Sequence, residues 1–223
     1  MMIVPGSVFI PKAASGDVVL LMHFDNNVDD ASGKHSPVSS GVTYEAGTFA
    51  QRVVCTAGDT IDVPASTDFA DDDVFTIEFK ITSTTAAPSV WFFNATSSPG
   101  STAGLWHFVL NSGGVPGQLA FSHNITPGPT NIFGIGTLGS GTEHSVAVTL
   151  NGSGVLNGYL DGIKSANSVQ TTTHVSTPQK LEIATSSYFG GSVGFKMDEL
   201  RITKGSVLYT GDYTPNPAPF TYP

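Results

Sequence analysis

The chain has 223 residues, with 9 Lys and Arg against 18 Asp and Glu and a formal charge of -9. That length suits one domain, since all-β sandwiches commonly use about 200–250 residues for a single core. The shortage of bases, with Arg52 and Arg201 as the only guanidinium groups, excludes nucleic-acid binding by phosphate neutralisation. Cys55 is alone, which excludes an intrachain disulfide and a cysteine zinc site. No apolar run approaches the ~18 residues that cross a bilayer, and residues 1–16 lack a signal-peptide core. Neither membrane insertion nor signal-directed export is expected.

Residues 1–16 set Ile3, Val4, Val8, Phe9 and Ile10 around Pro5 and Pro11, the composition of an extended arm seeking an external groove. Beyond them, short β runs bounded by Gly, Pro, Asn, Asp and Ser recur and helix signals are nearly absent. Strands are expected at 18–24, 52–55, 60–63, 74–82, 90–95, 105–110, 118–122, 144–150, 155–161, 181–184 and 193–203. The clearest alternates Phe75, Ile77, Phe79 and Ile81 with Thr76, Glu78, Lys80 and Thr82, one face buried and one wet. With no βα alternation, such a series predicts an all-β fold of two packed antiparallel sheets over residues 17–212. Asn151-Gly152, Asn157-Gly158 and Asp161-Gly162 are dipeptides suited to type I′ hairpin turns. Residues 213–223 hold four prolines with Phe220 and Tyr222 and read as a second extended segment, docking on another surface or wrapping its own domain.

Several of these segments, taken in order, resemble concanavalin A-like and laminin-G-like jelly rolls. The opening Leu20-Leu21-Met22-His23-Phe24-Asp25 with Asp29-Asp30-Ala31-Ser32-Gly33 is similar to the family's first strand and D-x-S-G loop. Phe75-Thr76-Ile77-Glu78-Phe79 resembles its F-T-I-E-F-W strand, with Lys80 in place of Trp. His144-Ser145-Val146-Ala147-Val148-Thr149 followed by Tyr159-Leu160-Asp161-Gly162 resembles its central hairpin, and Asp198-Glu199-Leu200-Arg201-Ile202 its closing strand. The ending from Arg201 to Phe220 resembles domains carried by bacteriophage virion proteins. The resemblance implies a jelly-roll sandwich, made in the host cytoplasm and displayed on a virion surface.

Five features of the sequence bear on chemistry. The paired-carboxylate pattern E-x-D-x-x-E of related glucanases is absent, which argues against a retaining glycosidase. Gly190-Gly191-Ser192-Val193-Gly194 fits G-x-S-x-G, but a strand follows where the nucleophile elbow needs a helix. Asp25, Asn27 and Asp29 stand at i, i+2 and i+4, the opening of an oxygen-rich calcium loop, although Asp30 and Ser36 replace the Gly and Glu of an EF-hand. Laminin-G-like domains often hold calcium, and neighbouring first and last strands would bring Asp198 towards Asp25, Asn27, Asp29 and Asp30; the competing reading is an Asx-turn loop with an Asp198–Arg201 or Asp198–Lys contact. The run Asp68, Asp71, Asp72, Asp73 reads as a solvated turn. Trp91 and Trp106 are either a glycan-stacking platform or core, with alternation setting Trp91 and Phe93 on one face and Phe92 on the other.

The resulting expectation is a non-enzymatic virion component, a capsid decoration protein or short head or tail appendage. Ile3, Val4, Val8, Phe9, Ile10, Phe220 and Tyr222 would dock it on other virion proteins, and it would form a homo-oligomer. The alternative is a carbohydrate-binding, lectin-like module; host surface glycans are partners under either.

Overall fold

The computed structural model describes residues 16–71, 73–84, 90–96, 104–123, 131–171, 174–184 and 194–222. In chain order its strands are β1 (Asp17–Met22), β2 (Val38–Ser40), β3 (Thr43–Gly47), β4 (Ala50–Cys55), β5 (Thr60–Ser66), β6 (Phe75–Ser83), β7 (Val90–Thr96), β8 (Gly104–Leu110), β9 (Gln118–His123), β10 (Asn131–Thr137), β11 (Glu143–Leu150), β12 (Val155–Leu160), β13 (Ile163–Gln170), β14 (Gln179–Ile183) and β15 (Phe195–Lys204). They form two antiparallel sheets. The first runs β13-β12-β11-β6-β15-β4-β3, with β1 also on β15, and the second runs β10-β9-β8-β7-β14-β5-β2. The expected sandwich is therefore the fold, and its first and last strands do pair.

The core lies between the sheets. From the first come Phe75, Ile77, Phe79 and Ile81, aligned with Leu150, Val148 and Val146 of β11. Across the second, Ile61, Ile183, Phe93, Phe108, Phe121 and Phe133 form one inward row from β5 to β10. Phe79 meets Phe92, Phe93 and Phe108 edge-on, with centroids 4.9 to 6.2 Å apart. Burying aromatic area of this size dominates sandwich energetics, at roughly 25 cal/mol per Å² of apolar surface.

Two expectations about local geometry are corrected. Phe92 and Phe93 both enter the core, at 0% exposure, because a bulge between Trp91 and Phe93 in the β7–β8 pairing breaks the period-two alternation. Of the three turn dipeptides, Asp161-Gly162 alone is the two-residue hairpin turn, with φ of 50° and 81°. Asn157-Gly158 lies inside β12, where a Cβ on Gly158 would sit 2.8 Å from Ile135 and 2.9 Å from Phe133. Around Asn151-Gly152 the left-handed residue is Gly154 instead, and the Asn151 carboxamide accepts from the Ser153 and Val155 amides.

The C-terminal segment, residues 205–222, lies across the outer face of the first sheet. Its Tyr209 hydroxyl donates to Glu78 at 3.0 Å, the Tyr213 amide donates to the Gly162 carbonyl, and the Phe220 amide donates to Glu199 at 2.6 Å. Phe220 is buried against Val18 and Leu21, with the Arg201 guanidinium 4.5 Å from its ring centroid. The segment thus wraps its own domain, and Phe220 is occupied there; Tyr222 remains exposed. Ile3, Val4, Val8, Phe9 and Ile10 lie outside the described residues.

Candidate functional site

A single row of residues crosses the outer face of the second sheet. Cross-strand pairing aligns Val38 of β2 with Asp62 of β5, Asp62 with Glu182 of β14, Glu182 with Asn94 of β7, Asn94 with His107 of β8, and His107 with Ser122 of β9. Directly paired residues of an antiparallel sheet share a face, so these side chains form a polar stripe over the aromatic row beneath. Lys180 joins them from the next outward position of β14, with Nζ 2.9 Å from Asp62 and 3.4 Å from Glu182. The Asn94 amide donates to the other Glu182 oxygen at 3.0 Å.

The stripe has a buried end and an accessible end. Glu182, Asn94, His107 and Ser122 are buried, and burial pushes the His107 pKa down to about 3, so its imidazole is neutral. Asp62 and Lys180 keep about a third of their side-chain surface in water, at 30% and 27%. Around them Ser40 and Pro64 are exposed, and Val38 is 62% exposed. The accessible end therefore offers a carboxylate, an ammonium and hydroxyls beside an apolar methyl pair. Those groups suit hydrogen bonding to a polyhydroxylated ligand lying on an apolar surface.

Asp62 and Glu182 face each other on adjacent strands, the placement a glycosidase pair would need. Both are ion-paired to Lys180, and the Asn94 amide holds the other Glu182 oxygen, so the two carboxylates are tied into the stripe's own contacts.

The sequence-derived sites distribute differently. Trp106 is core, 2% exposed and edge-on to Phe93 at 5.2 Å, so it supplies no stacking platform. The Trp91 backbone pairs with Val109, and its side chain lies outside the described residues. Residues 190–193 of the G-x-S-x-G match and Asp72 also lie outside them. Asp71 is not solvated: at 0% exposure it pairs with the His123 imidazole at 2.5 Å and accepts from the Val175 amide.

The calcium ligand set does not assemble into one coordination sphere. The Asp30 carboxylate accepts from the Leu21, Ser32, Lys34 and His35 amides and from the Ser32 hydroxyl, which occupies its lone pairs. The Asn27 oxygen accepts from the Asp29 amide and one Asp25 oxygen from the Gln51 amide. Asp198 alone keeps both oxygens buried and without a hydrogen-bond partner. Among the described residues, no three His, Cys, Asp or Glu side chains converge to hold a metal.

Sequence reading missed the stripe because its members lie on strands far apart in the chain. A signal was nevertheless present, since Asp62, Glu182, Asn94 and His107 are each a single polar residue between two apolar ones, as in Ile61-Asp62-Val63 and Leu181-Glu182-Ile183.

Comparison with protein-family models and with curated proteins finds no match. Solved structures do resemble the fold. Domain 4 of AbnA, an extracellular GH43 arabinanase from Geobacillus stearothermophilus seen with arabinotriose, superposes with a TM-score of 0.67 at 14% identity, covering 90% of this chain and 95% of that one. The binding domain of Paraclostridial Mosquitocidal Protein 1 gives a TM-score of 0.68 at 14% identity, over 86% of this chain and 49% of that one. The botulinum neurotoxin serotype G binding domain gives 0.68 at 11%, over 86% and 48%. This chain thus spans about half the length of those toxin binding domains, and at such identities the likeness establishes the fold.

Proposed function

We propose that the protein is a non-catalytic, lectin-like binding domain that takes a glycan at the accessible end of the polar stripe, on β2, β5 and β14. The observation that carries this reading is the contrast between the outer faces. Over β12, β11 and β6 the first sheet's is covered by residues 205–222, whereas the second presents Asp62, Lys180, Ser40 and Val38 to water. The fold neighbours support it, because they are carbohydrate- or receptor-binding β-sandwich domains, and the one covered almost end to end was seen with arabinotriose. Display on a phage particle is a proposal about where such a domain is carried; it rests on the resemblance of the closing segment and is compatible with glycan binding.

Titration calorimetry of the full chain against a broad glycan panel tests the reading. Saturable binding is expected, weakened about tenfold by Asp62→Ala through loss of a charge-assisted hydrogen bond worth roughly 1.5–3 kcal/mol. Binding that ignores both Asp62→Ala and a steric Ser40→Tyr block places the ligand elsewhere. Absence of binding across the panel, with turnover of a β-glucan, would instead make the protein an enzyme.

A further inference from the structure

We infer that the glycan taken at this face is uncharged, and that the face rejects sialylated, sulfated and uronate-bearing chains. This rests on the preceding reading and adds the chemical class of the ligand. An anionic sugar is recognised by a base with unspent valence, most often an Arg fork or a Lys aimed at the carboxylate or sulfate. In the strands of the second sheet Lys180 is the sole Lys or Arg, and it is already shared between Asp62 and Glu182. The described part of that face therefore carries more acid than base. His107 adds no positive charge there, since its imidazole is neutral.

The other described Lys and Arg residues lie on the first sheet or its loops, Lys80 on β6, Lys164 on β13 and Lys204 on β15 among them. Arg52 is held by Glu45 at 2.6 Å, Arg201 by Glu78 at 2.9 Å, Lys196 by Glu45 at 2.6 Å and Lys34 by Asp17 at 2.5 Å. All four sit on the first sheet or its loops. An anion at Asp62 would meet like charge within a chain whose formal charge is -9, and the repulsion falls off only over roughly a Debye length, ~8–10 Å at physiological salt. Neutral hydroxyls meet no such opposition, and can donate to Asp62 while accepting from the Ser40 hydroxyl.

The test compares uncharged arabinan, glucan and galactan oligosaccharides with sialylated, sulfated and polyuronate ones against the intact chain. An uncharged chain is expected to bind at least about tenfold tighter than any anionic one, with affinity changing less than about twofold between low and high salt. In Ser40→Lys, which adds an unpaired ammonium at the exposed edge, anionic chains are expected to gain affinity and salt dependence. Preference of the unmodified protein for an anionic glycan, or a steep fall in affinity with salt, overturns the inference while leaving the lectin reading intact. Silence towards every glycan overturns both.

Discussion

Asp198 stands opposite Lys80 in the β6–β15 pairing, yet its carboxylate makes no hydrogen bond, and Arg201 has turned to Glu78 instead. A bulge between Asp198 and Arg201 puts Glu199 at φ 53°, where its own carboxylate engages His23 and the Phe220 amide. Burial, followed by the nearby Glu199 and Glu143 carboxylates, pushes the Asp198 pKa up to about 7. The sign follows from linkage: a carboxyl that holds its proton more tightly when folded contributes nothing unfavourable below its unfolded pKa and destabilises progressively as pH climbs towards the folded one. Between its ordinary 3.8 and about 7, this group should erode stability by an amount on the order of 2–4 kcal/mol. Asp198→Asn is therefore expected to raise the melting temperature at pH 8 and to change it little at pH 4, by thermal unfolding. A loss of stability at pH 8 would show that the charged form is favoured there. Calcium supplies a separate check: if Asp198 holds the ion, its addition at pH 8 stabilises the native chain and not the Asn variant.

At the scale of elements, the readable signals were those in which one residue's chemistry demands one backbone state. β6 and β11 were legible because strict apolar and polar alternation lets only one face be buried. β2, β3, β10 and β13 were not; β2 is fully exposed, β13 is a polar edge, and β10 is interrupted by Gly134 and Gly136. The stripe was illegible for a related reason, since register between distant strands decides which polar residues become neighbours. The turn dipeptides divide in the same way. Gly162 sits at φ 81°, where a Cβ would collide with the Tyr213 carbonyl, whereas Gly152 has no positive φ and its nearest foreign atom is 3.8 Å away on Val74. Gly162→Ala is expected to cost about 1–3 kcal/mol and Gly152→Ala to fall within about 0.5 kcal/mol of neutral. Denaturant unfolding of the pair measures the difference, and equal effects would mean that Asn151-Gly152 is under the same backbone constraint.

For the whole molecule, the C-terminal segment decides which surfaces remain open. Strand alternation gives the first sheet an outer face carrying Glu78, Ala147 and Tyr159, and all three are buried because the segment lies over them. Tyr209 and Tyr213 stack at 3.5 Å above Tyr159, and the Tyr159 hydroxyl donates to the Tyr209 carbonyl at 2.8 Å. Glu78 shows why this cover is structural: burial raises its pKa, and Arg201 and the Tyr209 hydroxyl pull it back. Removing residues 206–223 would withdraw that hydroxyl from a buried carboxylate, costing roughly 1–3 kcal/mol. It would also expose the surface under Tyr209 and Phe220, at about 1.5–3 kcal/mol for each large side chain. For a chain this long each kcal/mol moves the melting temperature by about 2–4 °C, so the truncated protein should melt roughly 10 °C or more below the intact one. Because the polar stripe is on the other sheet, a truncated chain that still folds should keep its glycan affinity within about twofold, a difference of only ~0.4 kcal/mol. A segment whose work was to dock on another protein would give the opposite pattern, with unchanged melting of the isolated domain.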